Sequence, residues 1–324
     1  MKVEPFDPFW WRDQFVRRAL APILFARKRG YDVLRESWDN LIILDACRAD
    51  SFAKAFSDVG LKGTLQQRIS KGSATNQFVK QNFGLSRNDD VVYVTANPVV
   101  DIFAPNRFYQ LISVWKDGWD EKAGTVLPET VYDYALEAAN KYPGKRLIIH
   151  FVQPHHPYID YNLLDDFEGV PVKIRGDPTG IPIPAKELKH KREIYKMYSA
   201  NFYAANGLGI LREGYENNLR KVLVIAKDLV QKLPGKSVLT ADHGEAFGET
   251  LHPLIPIQLY GHFPNIKIDA LAVVPWFICE GMGSSSDDSN VKRVGSSLLV
   301  NSGSNEEKND ESIILERLRR LGYE

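Results

Sequence analysis

Short, continuous apolar runs recur along the chain, and each ends abruptly in polar residues. They lie at 41–44, within 91–98, at 147–152, before Asp242 and at 268–278. Runs of this length predict buried strands of a largely parallel sheet. Helical apolar patterns separate them, at 78–83, at 131–141 and over most of 186–233. The alternation predicts an α/β fold with a mostly parallel central sheet and helices on both faces.

The same pattern divides the chain into four parts. Residues 1–38 form an N-terminal amphipathic segment, and residues 39–280 contain all the predicted strands. Residues 281–311 are rich in serine, asparagine, glycine and acidic residues, which predicts a flexible linker. Residues 312–324 predict a short amphipathic helix at the C-terminus.

The N-terminal segment has two interpretations. Residues 5–30 mix aromatic residues with arginine and lysine. As an amphipathic helix, this segment could lie on an anionic membrane surface with Trp10 and Trp11 as interfacial anchors. Packing against its own domain or a partner subunit is the more common use of such a face, and we favour it.

Composition narrows the classes of partner and compartment. The 324 residues carry 41 basic and 41 acidic side chains, so bulk nucleic-acid binding is not indicated. Only two cysteines occur, Cys47 and Cys279, and no signal-peptide pattern or membrane-spanning apolar stretch is present. These features predict a cytoplasmic protein, with peripheral membrane contact through residues 5–30 as an open possibility. The oligomeric state is left open.

Acids and histidines follow the predicted strands. Asp45 ends the first run, and Asp242 and His243 end the run before the Gly-Glu pair at 244–245. His155 follows the run at 147–152, and His262 lies on a loop that we expect to fold back over the strand ends. Because ligands bind beyond the carboxyl ends of parallel strands, we expect these side chains to converge. Carboxylates with imidazoles predict a metal site, although a capped helix and a proline-stiffened loop would also explain them.

A small-residue loop leads into the helical pattern at 78–83. Ser73 and Thr75 are both candidates for the start of that helix, where an anion is favoured and where a hydroxyl beside a metal could act as nucleophile. A simple N-cap is the competing interpretation.

Five stretches carry a family resemblance. They are LDACRAD, SKGSATNQF, FVQPHHPY, TADHGEAFGE and YGHF, and they agree in order with the sulfatase-like branch of the alkaline phosphatase superfamily along most of residues 40–278. The chain looks most like small archaeal sulfatase-like proteins. The resemblance implies an alkaline-phosphatase-like sandwich. It also implies a metal held by Asp45, Thr75, Asp242 and His243.

The resemblance assigns roles to further residues. Thr75 stands where lipoteichoic acid synthases and phosphoethanolamine transferases have their nucleophilic threonine. His155 and His262 match histidines that contact substrate or a second metal, and we expect one of the two to act in catalysis by protonating the leaving oxygen or activating the acceptor. Arg48 would be a substrate-binding residue, placed to bind a phosphoryl or sulfuryl oxygen bidentately. No Cys-x-Pro-x-Arg segment is present, so formylglycine chemistry is not expected.

The ligand types favour particular metals. Two acids, a histidine and a threonine suit Zn²⁺ or Mn²⁺ better than Ca²⁺, although Ca²⁺ stays possible. One site is expected, and a second is left open. The predicted substrate is a phosphorylated or sulfated small molecule, sugar or lipid.

Three functions remain open at this point. The first is a metal-dependent hydrolase or transferase of phosphate or sulfate esters. The second is a non-catalytic, metal-stabilised binding or scaffold protein in surface-polysaccharide metabolism. A phosphomutase is the third, although residues 99–127 and 160–200 look too small for its cap domain.

Overall fold

A computed structural model describes residues 15–25, 28–160, 209, 211–279 and 307–321. Seven of its strands form one sheet in the order β2-β11-β8-β1-β7-β3-β4. Strand β11 runs antiparallel to both of its neighbours, and the other strands of the sheet share one direction. The strands, in chain order, are β1 (Asn40–Leu44), β2 (Gly63–Ile69), β3 (Asn88–Thr95), β4 (Phe108–Ser113), β5 (Trp119–Asp120), β6 (Thr125–Val126), β7 (Arg146–Phe151), β8 (Ser237–Thr240), β9 (Ala246–His252), β10 (Ile255–Gly261) and β11 (Val273–Cys279).

Helices cover both faces of this sheet. In chain order, the helices of the described residues are α1 (Ala21–Leu24), α2 (Ala49–Ala55), α3 (Thr75–Phe83), α4 (Val99–Phe103), α5 (Val114–Asp117), α6 (Pro128–Lys141), α7 (211–232), α8 (Asp269–Ala272) and α9 (Glu307–Arg320). Helices α2, α6 and α7 contribute to one buried cluster, and α3 and α4 contribute to the other. The predicted α/β class and mostly parallel sheet are therefore confirmed.

The pleat of the central strands separates the two buried clusters. In β1, Ile42 and Leu44 belong to one cluster, whereas Leu41 and Ile43 belong to the other. Successive side chains of a strand point to opposite faces, so a strand with helices on both sides must be apolar throughout. This explains why the central strands have continuous rather than alternating apolar runs.

The register of the sheet brings three strand ends to one edge. Leu44 of β1 pairs with Phe151 of β7, and Ile43 pairs with Thr240 of β8. Because these strands are parallel, the polar residues that follow them emerge side by side.

Several predicted elements differ from the observed ones. The strand predicted at 268–278 begins only at Val273, because α8 precedes it. An antiparallel hairpin of β9 and β10, which the sequence analysis did not predict, precedes His262. The C-terminal helix begins at Glu307 rather than at 312. Most of the predicted linker, and the part of the predicted helix at 186–208, lie outside the described residues.

The described part of the N-terminal segment packs onto the hairpin. A π-helical turn (Val16–Leu20) leads into α1. Ala21 is fully buried in a cluster with Leu251 and Leu259, and Leu24 and Phe25 pack against that cluster. Residues 20–25 therefore pack against their own domain, as in the second of the two interpretations. Trp10 and Trp11 lie outside the described residues, and membrane contact stays a prediction.

Phe83, the last residue of α3, provides a test of the core. Its ring makes edge contacts with Phe78, Tyr93 and Phe108. We expect Phe83→Ala to lower the free energy of unfolding by about 3–5 kcal/mol, because a buried aromatic ring leaves a cavity. Leu85→Ala is the matched control, since Leu85 is 95% exposed, and we expect a change within about 0.5 kcal/mol. Urea unfolding measures both; equal effects would contradict the described packing.

Candidate metal centre

Two carboxylates lie in a buried pocket where β1 and β8 end. Asp45 and Asp242 are both fully buried. Asp45 Oδ2 accepts a hydrogen bond from Asn97 Nδ2 at 2.6 Å. Asp242 Oδ1 accepts from the backbone amides of Ala46 and His243, at 3.1 and 2.9 Å. Asp242 Oδ2 has no hydrogen-bond donor among the described residues.

His243 aims an unprotonated nitrogen at both acids. Its Nδ1 lies 2.8 Å from the carbonyl oxygen of Gly244, which can only accept, so Nδ1 carries the proton. Its Nε2 lies 3.3 Å from Asp242 Oδ2 and 3.6 Å from Asp45 Oδ1. Burial lowers the pKa of His243 from 6.5 to about 3. The neutral imidazole therefore faces two carboxylates with its lone pair, which is the arrangement of a metal ligand.

The turn that aims His243 requires a glycine. A Cβ atom on Gly244 would lie 2.1 Å from the carbonyl oxygen of Ala270. The Gly244 amide donates to the Leu271 carbonyl at 2.9 Å. The Gly244 backbone thus lies in direct contact with the backbone of residues 270–271, which precede β11. Only a glycine, which has no Cβ atom, permits this approach.

Thr75 adds a hydroxyl to the two acids. It is the first residue of α3, and the N-cap position is Ala74, so neither candidate hydroxyl caps the helix. Thr75 Oγ1 lies 3.0 Å from His243 Nε2 and 3.5 Å from Asp45 Oδ1. The Ser73 hydroxyl instead donates to the carbonyl of Phe263 at 2.8 Å. Of these two hydroxyls, Thr75 is the one that joins the carboxylates.

His150 belongs to the same pocket and was missed by the sequence analysis. It lies within β7, fully buried, with Nε2 3.9 Å from Asp45 Oδ2. That nitrogen has no hydrogen-bond partner among the described residues, while Nδ1 lies 3.0 Å from the Tyr93 hydroxyl. Burial lowers the pKa of His150 to about 4. Ligand atoms of Asp45, His150 and Asp242 all lie within 4.8 Å of one another.

A second cluster lies beside the first. Ligand atoms of His155, Glu245 and His262 also lie within 4.8 Å of one another. The rings of His262 and His243 have centroids 4.4 Å apart, and those of His262 and His155 are 5.1 Å apart. The structure thus brings together both histidines that the sequence predicts. Glu245, the third member of the cluster, was not among the predicted site residues.

The two histidines of the second cluster have opposite protonation tendencies. Burial lowers the pKa of His155 well below 6.5. Burial also acts to lower the pKa of His262, but the charge of Glu245 and its hydrogen bond at 3.1 Å outweigh burial and raise that pKa above 6.5. His262 is thus the more readily protonated of the two.

Arg48 is engaged by the protein itself. Its Nε and Nη2 donate to the two oxygens of Asp50, and Nη1 donates to Glu249 and to the carbonyl of Glu245. All three guanidinium nitrogens therefore already have acceptors. Through Nη1, Arg48 fixes the backbone at Glu245. Its role in substrate binding stays a prediction.

Comparisons with known proteins find similar solved structures. The sequence matches no protein-family model and no curated protein. The C-terminal periplasmic domain of EcEptC from Escherichia coli, in complex with Zn, is similar with a TM-score of 0.46 and 12% identity over 78% of this chain and 75% of that chain. The C-terminal periplasmic domain of phosphoethanolamine transferase EptC from Campylobacter jejuni gives 0.45 and 15% over 74% and 77%. The lipoteichoic acid synthase LtaP from Listeria monocytogenes gives 0.41 and 11% over 82% and 72%.

Two of these proteins are a phosphoethanolamine transferase and a lipoteichoic acid synthase, which are the kinds of enzyme named in the resemblance. All three come from bacteria, so the archaeal part of the resemblance has no support. The likeness concerns the fold, and the chemistry of this chain rests on its own residues.

The predicted cytoplasmic location is contradicted by the same comparisons. Two of the three structures are periplasmic domains. The prediction relied on the low cysteine count and on the lack of a signal-peptide pattern, and neither feature determines the compartment. Among the residues that the structure describes, no helix is both long and apolar enough to cross a membrane.

The ion pairs of Arg48 predict a pH-dependent contribution to stability. The hydrogen bond from Arg48 holds the pKa of Asp50 below its ordinary 3.8. Burial acts to raise the pKa of Glu249, but Arg48 outweighs burial and leaves it below 4.5. Carboxylates with depressed pKa values stabilise the fold above their unfolded pKa values, and this contribution is lost as the pH falls through the folded ones.

We therefore expect Arg48→Gln to lower the free energy of unfolding by about 2 kcal/mol at pH 7, given the partial exposure of both carboxylates. The difference from wild type should narrow below about pH 4.5. Arg212→Gln is the control, because Arg212 is half exposed and lies 3.7 Å from Glu249. Denaturant unfolding between pH 7 and pH 3.5 measures both variants. If the difference in the free energy of unfolding between wild type and Arg48→Gln became larger at low pH, the stabilising ion pairs assigned to Arg48 would be refuted.

Proposed function

We propose that the protein is a metal-dependent hydrolase or transferase of phosphate or sulfate esters, with Thr75 as nucleophile. One observation carries the proposal. Two buried carboxylates and the Thr75 hydroxyl converge on the neutral imidazole of His243, whose Nε2 lies 3.0 Å from Thr75 Oγ1, 3.3 Å from Asp242 Oδ2 and 3.6 Å from Asp45 Oδ1. This is a set of ligands and a nucleophile in a single pocket.

The pocket fits a divalent cation. Two buried carboxylates carry a large desolvation penalty unless positive charge compensates them. Arg48, close by in sequence, bonds to other acceptors. The unsatisfied Asp242 Oδ2 and His150 Nε2 are the atoms that an ion would satisfy. Asp45, Asp242, His243 and Thr75 would hold the ion, with His150 as a further candidate ligand.

The donor set favours particular ions. Carboxylate oxygens combined with imidazole nitrogens suit Zn²⁺ or Mn²⁺ better than Ca²⁺, which prefers oxygen alone. When bound, such an ion supplies positive charge that lowers the pKa of an adjacent hydroxyl and stabilises negative charge on the transferred group.

Thr75 would attack the phosphorus or sulfur atom in line. It loses its proton to solvent, its oxygen forms a bond to phosphorus, and the bond from phosphorus to the leaving oxygen breaks. The products are a covalent phosphothreonine and an alcohol. Water, or a sugar or lipid hydroxyl, then displaces Thr75. The position of Thr75 at the first turn of α3 favours negative charge through the helix dipole.

His262 is the proposed general acid. Glu245 raises its pKa, and its ring lies beside that of His243. A protonated imidazole at this position can deliver a proton to the departing alcohol oxygen. The cluster of His155, Glu245 and His262 also has ligands for a second divalent ion. One bound ion per chain would favour His262 as a general acid, and two bound ions would favour His262 as a metal ligand.

The first test combines metal content with turnover. We expect wild type to contain at least one equivalent of Zn²⁺ or Mn²⁺ and to cleave one or more of p-nitrophenyl phosphate, bis-p-nitrophenyl phosphate and p-nitrophenyl sulfate. Asp242→Ala should lose both metal and activity. Thr75→Ala should lose at least roughly a thousandfold in kcat. Ser73→Ala is the matched hydroxyl control, and its activity should remain.

Three outcomes separate the competing functions. Metal without turnover, and without a phosphothreonine adduct, would favour the binding protein over the enzyme. Full activity in Thr75→Ala would refute the nucleophile. Absence of metal from wild type purified without chelators, together with no gain of activity on adding Zn²⁺ or Mn²⁺, would refute the metal-dependent mechanism.

The second test concerns the leaving group. If His262 protonates the departing oxygen, His262→Gln should lower kcat for an alkyl phosphate by about 10²–10⁴-fold. The loss should be much smaller for p-nitrophenyl phosphate, because p-nitrophenolate leaves without a proton. The variant should keep the ion at Asp45 and Asp242. Equal losses on both substrates would contradict the role of general acid.

A further inference from the structure

One helix touches the loops that carry both clusters. Helix α7 places Tyr215 and Asn218 three residues apart, so both side chains lie on the same face. Tyr215 is 1% exposed and Asn218 is fully buried. Neither side chain belongs to the proposed ligands or to the acid–base groups. Their hydrogen bonds, however, go to the backbone on either side of the pocket.

Tyr215 holds the loop that follows β1. Its hydroxyl donates to the carbonyl of Ala46 at 2.8 Å and accepts from the amide of Arg48 at 2.8 Å. Ala46 has a φ of 58°, in the left-handed region that costs an alanine steric energy. In this conformation the Ala46 amide donates to Asp242 Oδ1. Tyr215 therefore fixes a strained residue that directly follows Asp45.

Asn218 holds the loop that follows β7. Its Nδ2 donates to the carbonyls of His155 and Pro157, at 3.2 and 3.0 Å. Its Oδ1 accepts from the amide of Ile159 at 3.0 Å. One amide side chain thus satisfies three backbone groups around His155. An alanine at this position would leave all three without these bonds.

We propose that Tyr215 and Asn218 are positioning residues of the active site: Tyr215 sets Asp45 and Asp242 for the ion, and Asn218 sets His155. This inference rests on the proposed function, because it concerns the same ion and the same transfer reaction. It adds that α7, which contributes no ligand, aligns the two clusters with each other.

The principal test compares two tyrosine variants. Tyr215→Phe removes only the hydroxyl, so we expect the affinity for Zn²⁺, measured by competition with a chelating indicator, to fall by about 10- to 100-fold. In protein stripped of metal, the Arg48 amide should exchange hydrogen faster than in wild type. Tyr132→Phe is the matched control, since the Tyr132 hydroxyl bonds to Asp228 on the surface; we expect wild-type values for both quantities.

A rescue experiment tests whether Tyr215 acts through Ala46. Glycine adopts a positive φ without the steric cost of alanine. We therefore expect Ala46→Gly, placed in the Tyr215→Phe background, to restore at least part of the lost affinity. If the double variant bound Zn²⁺ no more tightly than Tyr215→Phe alone, the conclusion that Tyr215 acts through the Ala46 backbone would be overturned.

Asn218→Ala should have a different effect. We expect its affinity for the ion at Asp45 and Asp242 to remain at the wild-type value, while kcat falls about tenfold or more. An equal fall in ion affinity in Asn218→Ala and Tyr215→Phe would overturn the division of roles. If wild type binds Zn²⁺ and Tyr215→Phe binds it equally well, this inference fails alone. If wild type binds no metal, the proposed function fails, and accelerated exchange at Arg48 still tests the role of Tyr215.

Discussion

The mutual repulsion of two buried carboxylates is the constraint on which the site depends. Asp45 and Asp242 follow neighbouring parallel strands, and their register gives them no freedom to separate. Each keeps some hydrogen bonds, from Asn97 and from two backbone amides. These bonds orient the carboxylates but carry no full positive charge. A divalent cation between them is the compensation that we propose, and the neutral His243 faces the same point.

The surrounding protein is arranged to maintain this pocket. Gly244 permits the close approach that turns His243 inward, and Arg48 fixes the carbonyl of Glu245. Tyr215 and Asn218 connect the loops on either side through α7. Ala46 adopts a strained positive φ, and in this conformation its amide donates to Asp242. Local strain of this kind is found at functional sites, where the geometry of the site matters more than local stability.

The sequence predicts those parts of the site that follow from the end of an apolar run. Asp45, Asp242 and His243 are the first polar residues after β1 and β8, so the parallel-sheet rule alone brings them together. Asn97 follows β3 in the same way and could have been found by the same rule. His150 could not, because it lies inside the apolar run of β7, where a histidine is usually a core residue. The ion pair of Arg48 with Glu249 could not be predicted, because Glu249 is distant in sequence and reaches Arg48 only through the position of β9.

The central claim is that a divalent cation binds between Asp45 and Asp242. Anomalous X-ray diffraction, recorded above and below the zinc and manganese absorption edges on crystals grown without chelator, tests it most directly. We expect an anomalous peak between the two carboxylates, about 2.0–2.1 Å from His243 Nε2 if the ion is Zn²⁺. Crystals grown with added Zn²⁺ or Mn²⁺ that show no peak there, with both carboxylates neutralised by protein groups instead, would contradict it.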